Sequence, residues 1–301
     1  MRIIIIGASG LIGSSLYSIA KADGIKVVGT YTSKEKEGLI KFNMLTDSIK
    51  SVIKDLGPKD VVFLLSAYSN PSWIFEHQKE AHELNVNATR RVVDNVLGSG
   101  ARLIFMSSVE VFDGKAGNYD EMSLPKPLNL YGKMKYEIEK YLPQVNGNSC
   151  IVRTGWNVGW TMESRCVIML TYKTLIGSNA KMAKDNMFSI IDVKDTAEGL
   201  FRLAKNPNIK KMHLASAPPV IRTELADSII KYSKYGDSMK YKTVSWSDIK
   251  YTEPRARLNQ LDNSLSISLL GMNYRSPDEI IRQKVELLDK NVNKIKDEGA
   301  K

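Results

Sequence analysis

Arg2-Ile3-Ile4-Ile5-Ile6-Gly7-Ala8-Ser9-Gly10-Leu11-Ile12-Gly13 is the stretch on which the reading of the chain turns. Four consecutive isoleucines carry no polar alternation, which is how a strand buried on both faces reads. The glycines that follow fall in a GxxGxxG pattern, and a helical pattern over Leu11–Ala22 begins within them. Early glycines allow a tight turn and let backbone N–H groups approach a diphosphate. The helix N-terminus adds partial positive charge, and Gly13 lets helix and strand pack closely. The stretch therefore predicts a dinucleotide site built from Gly7, Ser9, Gly10, Leu11, Ile12 and Gly13. The competing explanation is a plain strand–turn–helix with incidental glycines, and the position after a first strand weighs against it.

Working outward, the second strand candidate, Lys26–Thr30, runs into Tyr31-Thr32-Ser33-Lys34. An acidic residue at its end would hydrogen-bond the adenosine ribose and favour NAD. None is present, and Thr30, Ser33 and Lys34 suit a 2′-phosphate, so the expected cofactor is NADP, with NAD as the alternative. Further strand candidates are Asp60–Leu65, Arg102–Met106 and Ser149–Arg153, with helix candidates at Glu76–Leu97 and Tyr131–Leu142. This alternation predicts an α/β fold, a Rossmann-type doubly wound parallel sheet. After Arg153 the pattern loosens, with helices expected at Thr196–Ala204, Thr223–Ser233 and Pro277–Leu288. We expect a dinucleotide-binding domain over 1–155 and a smaller C-terminal substrate lobe over 156–290. Strands near Ile190 and Met212 are candidates to return to the sheet, and 291–301 forms a polar tail.

The chain has 301 residues, 43% hydrophobic and 25% charged, as an ordinary globular protein has. No apolar run approaches the ~18 residues of a membrane span, and the opening strand is broken by glycine too early for a secretion signal. Two cysteines, Cys150 and Cys166, give no disulfide framework, so a cytoplasmic setting is expected. The net charge of +10 comes from scattered lysines without a dense basic block, which argues against a nucleic-acid partner and allows a pull on phosphate-bearing ligands. His77, His82 and His213 lack metal-helix spacing, and no metal site is expected. Asp195, ahead of Thr196-Ala197-Glu198, reads as a helix N-cap.

The fourth strand ends in Ser107-Ser108-Val109-Glu110-Val111-Phe112-Asp113, and Tyr131 and Lys135 lie four apart on the helix that follows. They share one face. A lysine cation beside a tyrosine lowers the phenol pKa and helps it exchange a proton. A serine hydroxyl at the strand end can bind the same oxygen, while a nicotinamide works at the carbon. YxxxK alone is weak, since a surface helix with a half-buried tyrosine gives the same pattern. After a glycine-loop strand and a serine-rich fourth strand it becomes strong.

These residues give the chain a resemblance to the extended short-chain dehydrogenases/reductases, most of all to the dTDP-4-dehydrorhamnose reductase group. The resemblance covers nearly the whole chain. It rests on Gly7–Gly13, Ser66-Ala67-Tyr68, Asn85 with Thr89, Ser107–Gly114, Pro127–Lys135, Arg153-Thr154-Gly155-Trp156, and Arg255 through Leu261-Asp262. It implies Ser108, Tyr131 and Lys135 as the catalytic triad, with Lys135 also holding the cofactor ribose. Ser66, Ala67, Tyr68 and Asn85 are implied on the cofactor side. Ser108, Glu110, Trp156 and Arg255 are implied on the substrate side, with core packing as the other explanation of Trp156. The group carries Thr-Asp-Tyr where this chain has Ser108-Val109-Glu110, so a carboxylate stands in place of an aromatic ring. Related dehydratases carry a glutamate there as an acid/base, although Val109 replaces the aspartate that often precedes it. Ser15 stands where some relatives place a glutamate linked to magnesium.

Three functions follow as expectations. The first is an NAD(P)H-dependent reductase of a nucleotide-activated 4-keto sugar, using Ser108, Tyr131 and Lys135. The second is a nucleotide-sugar epimerase or dehydratase that retains its NAD(P) and uses Glu110. The third is a non-catalytic, dinucleotide-binding regulatory subunit, against which the intact triad argues. The expected partner is a nucleotide-sugar substrate, with a homodimer as the assembly and neither nucleic acid nor membrane involved.

Overall fold

The apolar runs become the strands of one sheet. In the computed structural model, which describes residues 1–33, 35–162, 166–177, 180–293 and 295, the strands are β1 (Arg2–Ile6), β2 (Lys26–Tyr31), β3 (Leu39–Lys41), β4 (Asp60–Leu64), β5 (Arg102–Met106), β6 (Ser149–Thr154) and β7 (Lys211–Leu214). They pair in the order β7-β6-β5-β4-β1-β2-β3, every neighbour parallel. Every residue of β4 and of β5 is buried, because helices cover both faces.

On one face Ile4, Val62, Leu103 and Phe105 pack against Val93 and Val96 of α2 (Thr89–Leu97) and Ile138 of α3 (Leu130–Tyr141). On the other, Ile3, Ile5, Phe63 and Val152 meet Leu16 and Ala20 of α1 (Leu11–Ala22) and Leu200 of a helix at Val193–Ala204. The chain leaves β1 toward β2 and β3, then crosses back to β4 on the other side of β1. The crevice at this reversal, outside Gly7 and Ser66, is where such sheets bind ligands.

The remaining elements form a lobe with its own apolar cluster. It contains helices at Val167–Ile176, Arg222–Tyr232 and Pro277–Asp289, whose buried residues include Tyr172, Ile229 and Val285. Its strands are two to four residues long. Trp156–Val158 pairs with Ile190–Asp192, Ala180–Ala183 with Tyr241–Val244, and Met187–Phe188 with both Val220–Ile221 and Leu258–Asn259. Met212 thus lies in the main sheet, whereas Ile190 does not.

Two expectations are corrected. The helix expected over Glu76–Leu97 is broken. Pro71–Glu76 and Gln78–His82 are separate short helices around His77, and Glu83–Ala88 is wound as a π-helix before α2 begins. The N-cap of the Val193–Ala204 helix is Asp192, whose carboxylate accepts from the Lys194 N–H at 2.7 Å. Asp195 sits inside the first turn and pairs with Arg275 at 2.8 Å. Cys150 and Cys166 are buried and unbonded to each other. No helix among the described residues is long and apolar enough to cross a membrane.

Candidate active site

The glycine loop is bare where a diphosphate would approach. Gly7 has φ +94°, and a Cβ there would lie 2.6 Å from Ser66 Oγ. A Cβ at Gly13 would lie 2.2 Å from the Gly7 carbonyl oxygen, so helix and loop touch backbone to backbone. Gly10 is the N-cap of α1, and no side chain caps the helix. The first-turn N–H groups of Leu11 and Ile12 therefore face outward without intrahelical partners, beside exposed Ser9 and Gly10. These features fit the diphosphate of a dinucleotide.

Thr30 is buried, and its Oγ1 accepts from the Gly7 N–H at 3.2 Å. Its hydroxyl thus braces the loop. Ser33 is exposed, and Lys34 lies outside the described residues. On the other side of the crevice, Asn85 in the π-helical turn clamps the backbone of Tyr68. Its Oδ1 accepts from the Tyr68 N–H and its Nδ2 donates to the Tyr68 carbonyl, both at 2.9 Å. Asn85 therefore acts on the Ser66-Ala67-Tyr68 wall by holding it. A π-bulge at such a position re-aims one side chain without ending the helix.

Ser108, Tyr131 and Lys135 come together at the carboxyl end of β5. Ser108 N-caps a short 3₁₀ turn over Val109–Val111, with its Oγ accepting from the Glu110 N–H at 3.2 Å. Ser108 is near enough to the Tyr131 phenol to favour its ionised form. The turn and α3 meet at Gly132, where a Cβ would lie 2.0 Å from the Glu110 carbonyl oxygen. Lys135 is buried; its Nζ donates to the Met106 carbonyl at 2.9 Å and lies 5.8 Å from the centre of the Tyr131 ring.

The electrostatics depart from the expectation that Lys135 lowers the Tyr131 pKa. Burial, and then the Glu110 charge, push the phenol above its usual range, and Ser108 opposes them only in part. Burial pushes Lys135 down to about 8, against the pull of Glu139. Tyr131 is thus kept protonated across the neutral range, the state of a proton donor.

Glu110 is held by two amides. Asn129 Nδ2 donates to its Oε2 at 2.6 Å and Asn259 Nδ2 to its Oε1 at 3.1 Å. Asn129 is also the N-cap of α3, accepting from the Gly132 N–H at 2.9 Å. Asn129 is legible in the sequence as an Asn directly ahead of a helix; Asn259, far along the chain, carries no such signal. Glu253 accepts from the Leu130 N–H at 2.9 Å, so the segment around 253–260 brings the lobe onto the start of α3.

Within that segment the Arg255 guanidinium lies 5.9 Å from the Tyr251 ring, and its Nε is buried without a hydrogen-bond partner among the described residues. Sequence reading missed Arg222. Its guanidinium rests on Phe188 (4.6 Å), donates to Asn186 Oδ1 (3.2 Å) and Thr171 Oγ1 (3.4 Å), and is pushed down to about 10 by burial. Both guanidinium charges act on the Tyr251 phenol, opposing the rise that burial gives it. Neither arginine has a carboxylate partner among the described residues. Trp156 is partly buried and packs against the lobe cluster. Among the described residues no group of three or more His, Cys, Asp or Glu side chains is placed to hold a metal.

Comparison with known proteins gives two kinds of likeness. The methionine adenosyltransferase 2 subunit beta of Xenopus laevis is 35% identical over 285 residues, 92% of this chain and 84% of that protein. The dTDP-4-dehydrorhamnose reductase of Aggregatibacter actinomycetemcomitans is 29% identical over 159 residues, 52% of each chain. The crystal structure of the Bacillus anthracis dTDP-4-dehydrorhamnose reductase in complex with NADP superposes with a TM-score of 0.78 at 21% identity, covering 94% of this chain and 97% of that one, which shows a shared fold. Residues 1–288 match the family described as the RmlD substrate binding domain, and the chain belongs to that family.

Proposed function

We propose that the protein is an NADPH-dependent reductase of a nucleotide-activated 4-keto sugar. The observation that carries this reading is the joining of Ser108, Tyr131 and Lys135 at the end of β5 beside a bare glycine loop, with Lys135 one helical turn from Tyr131 and its Nζ 5.8 Å from the phenol ring. A reduced nicotinamide, when bound, supplies hydride to the carbonyl carbon. Ser108 Oγ binds the carbonyl oxygen and Tyr131 donates a proton to it. Lys135 holds the cofactor ribose and offers positive charge to the phenolate that is left. Arg222 and Arg255, with no carboxylate partner among the described residues, suit a phosphorylated substrate, since partly buried guanidinium groups favour an anion.

Phosphate recognition on the adenosine ribose would fall to Ser33 and its neighbours, because the Thr30 hydroxyl is already used. The B. anthracis reductase, crystallised with NADP, supports the choice of cofactor. Absorbance of NADPH with a panel of nucleotide-linked 4-keto sugars tests the reading. Stoichiometric oxidation with one sugar is expected, and its absence with every member would overturn it. Tyr131→Phe should cut turnover by at least ~100-fold, as loss of a general acid does.

A second reading is favoured by the 35% identity to the Xenopus subunit. In it the chain binds a dinucleotide and serves as a subunit of a methionine adenosyltransferase. A stable complex with such an enzyme, unaffected by Tyr131→Phe and accompanied by no NADPH oxidation, would select it.

A further inference from the structure

Behind Lys135 lies a buried polar cluster. Glu139, one turn beyond Lys135 on α3, is 5% exposed, and Arg153 on β6 is 1% exposed. Arg153 donates to both carboxylate oxygens of Glu139, from Nε to Oε1 at 2.9 Å and from Nη2 to Oε2 at 2.6 Å. Ser107 Oγ donates to Oε1 at 2.5 Å. Arg153 also lies over the Phe112 ring at 4.9 Å, and its Nη1 is 3.4 Å from His213 Nε2. His213 Nδ1 lies 3.1 Å from the Tyr119 carbonyl and carries the proton there, and burial holds the ring neutral, at about 3. Around this group lie Glu121, whose Oε1 accepts from the His213 N–H at 2.7 Å, and Lys211, whose charge acts on His213.

A buried ion pair is weak evidence for stability, because well-packed apolar residues of the same volume do as well. This one has a particular address. Ser107 immediately precedes Ser108 at the end of β5, Arg153 lies on the neighbouring strand, and Glu139 shares the helix and the face of Tyr131 and Lys135. We propose that Glu139 is a positioning residue. Through Ser107 and Arg153 it locks β5, β6 and α3 into one unit, so that Ser108, Tyr131 and Lys135 keep their mutual placement, and it sets a buried carboxylate one helical turn from Lys135.

The groups facing Lys135 support that assignment. From β5 come the Met106 carbonyl and the Phe105 ring, 4.8 Å from Nζ. The turn after β5 brings Glu110, whose charge falls on Tyr131. The π-helical turn brings uncharged Asn85, bonded to Tyr68. From β6 comes Arg153, a cation bound through Glu139. On its own helix Lys135 has the neutral Tyr131 and Glu139, and Glu139 is the charge that works against the loss of its proton. The inference rests on the proposed reductase only for the use made of the three positioned groups.

The test reads Lys135 itself and needs neither cofactor nor sugar. The ¹³Cε shift of Lys135, assigned by its disappearance in Lys135→Met, is followed against pH. The wild-type midpoint is expected near 8. In Glu139→Gln, which keeps the size and removes the charge, it should fall by at least ~1 unit. In Ser107→Ala, which keeps the charge and removes one bond, it should stay within ~0.3 unit. A midpoint in Glu139→Gln that does not move overturns the inference, whatever NADPH assays show. Conversely, a moved midpoint in a protein that oxidises no NADPH would leave it standing and remove the reductase reading. Should Glu139→Gln fail to fold by circular dichroism, the paired Glu139→Met and Arg153→Met variant removes both charges together. Because the cation leaves with the carboxylate, a smaller fall is expected there, and a midpoint that stays or rises has the same meaning.

Discussion

At the centre of the sheet, Phe63 and Phe105 lie among Ile, Val and Leu side chains, and the buried ions, Arg153 with Glu139 and Lys135 among them, gather along β6 and α3. The lobe buries side chains of another kind. Asp289 accepts from the Tyr172 hydroxyl (2.6 Å), Ser233 Oγ (2.7 Å) and the Lys234 N–H (2.7 Å). Lys284, buried, donates to the carbonyls of Gly159 (2.7 Å) and Thr161 (3.0 Å). Asp192 takes the Trp160 indole N–H at 3.1 Å and Arg275 at 2.9 Å. Long strands bury apolar surface and pair their own backbones. Strands of two to four residues do neither well, so the lobe closes its loops with polar hubs. The contrast teaches that two halves of one molecule can reach a packed interior by different physics. Only the first kind repeats regularly along the chain.

The largest effect that would sharpen this contrast is expected in the sheet. Phe63→Ala should cost about 3–5 kcal/mol, read from the denaturant midpoint, because the cavity lies among side chains that cannot close over it. Asp289→Ala should cost less, about 2–3 kcal/mol, by stranding three donors. Hydrogen exchange should place that loss in the helices at Val167–Ile176, Arg222–Tyr232 and Pro277–Asp289, with β1, β4 and β5 still protected. Equal loosening of the sheet would erase the distinction.

Smaller again, and opposite in sign, is Lys135→Met. Burial lowers Lys135 from 10.5 to about 8, so below that pH the folded protein carries a buried cation that the unfolded chain holds in water. Between about 8 and 10.5 the unfolded chain binds a proton that the folded one does not, and wild-type stability rises with pH. The Met variant should therefore be more stable by roughly 1–2 kcal/mol at neutral pH, with the gain fading toward the upper end of that window, while turnover is lost. Thermal melts at several pH values check this. The smallest effect belongs to Lys205→Ala, which removes an exposed pair with Asp23 at 3.1 Å and should change stability by no more than about 0.5 kcal/mol.

Much of the sheet was legible because its signals are local. β1, α1, β2, β4, β5 and β6 fall within a residue or so of their expected bounds. β3 escaped notice because three residues, largely exposed, carry no pattern. The π-helical turn did so because apolar spacing continues through it while the winding changes at Asn85. In the site, spacing and order were enough to bring Ser108, Tyr131 and Lys135 together. The fixing of Glu110 by Asn129 and Asn259 was not visible, since Asn259 stands 149 residues from Glu110. Nor was Arg222, whose importance lies in having no carboxylate partner among the described residues, a property of folded surroundings. The direction of the Tyr131 shift was misjudged because spacing reveals a neighbouring lysine and conceals burial.

The placement of β7 has a consequence for synthesis. Its four residues pair with β6, yet they emerge from the ribosome nearly sixty residues later. Throughout that interval a nascent chain holds β6 as an unprotected border, open to pairing with another chain. His213 has not yet been made, so Arg153 waits without one of its contacts. The segment that intervenes includes the first helix of the lobe, at Val167–Ile176, and the helix at Val193–Ala204 that covers the sheet. A stalled chain released after Gly155 would therefore carry the glycine loop, Ser108, Tyr131 and Lys135, and still present a sticky strand in place of a finished edge.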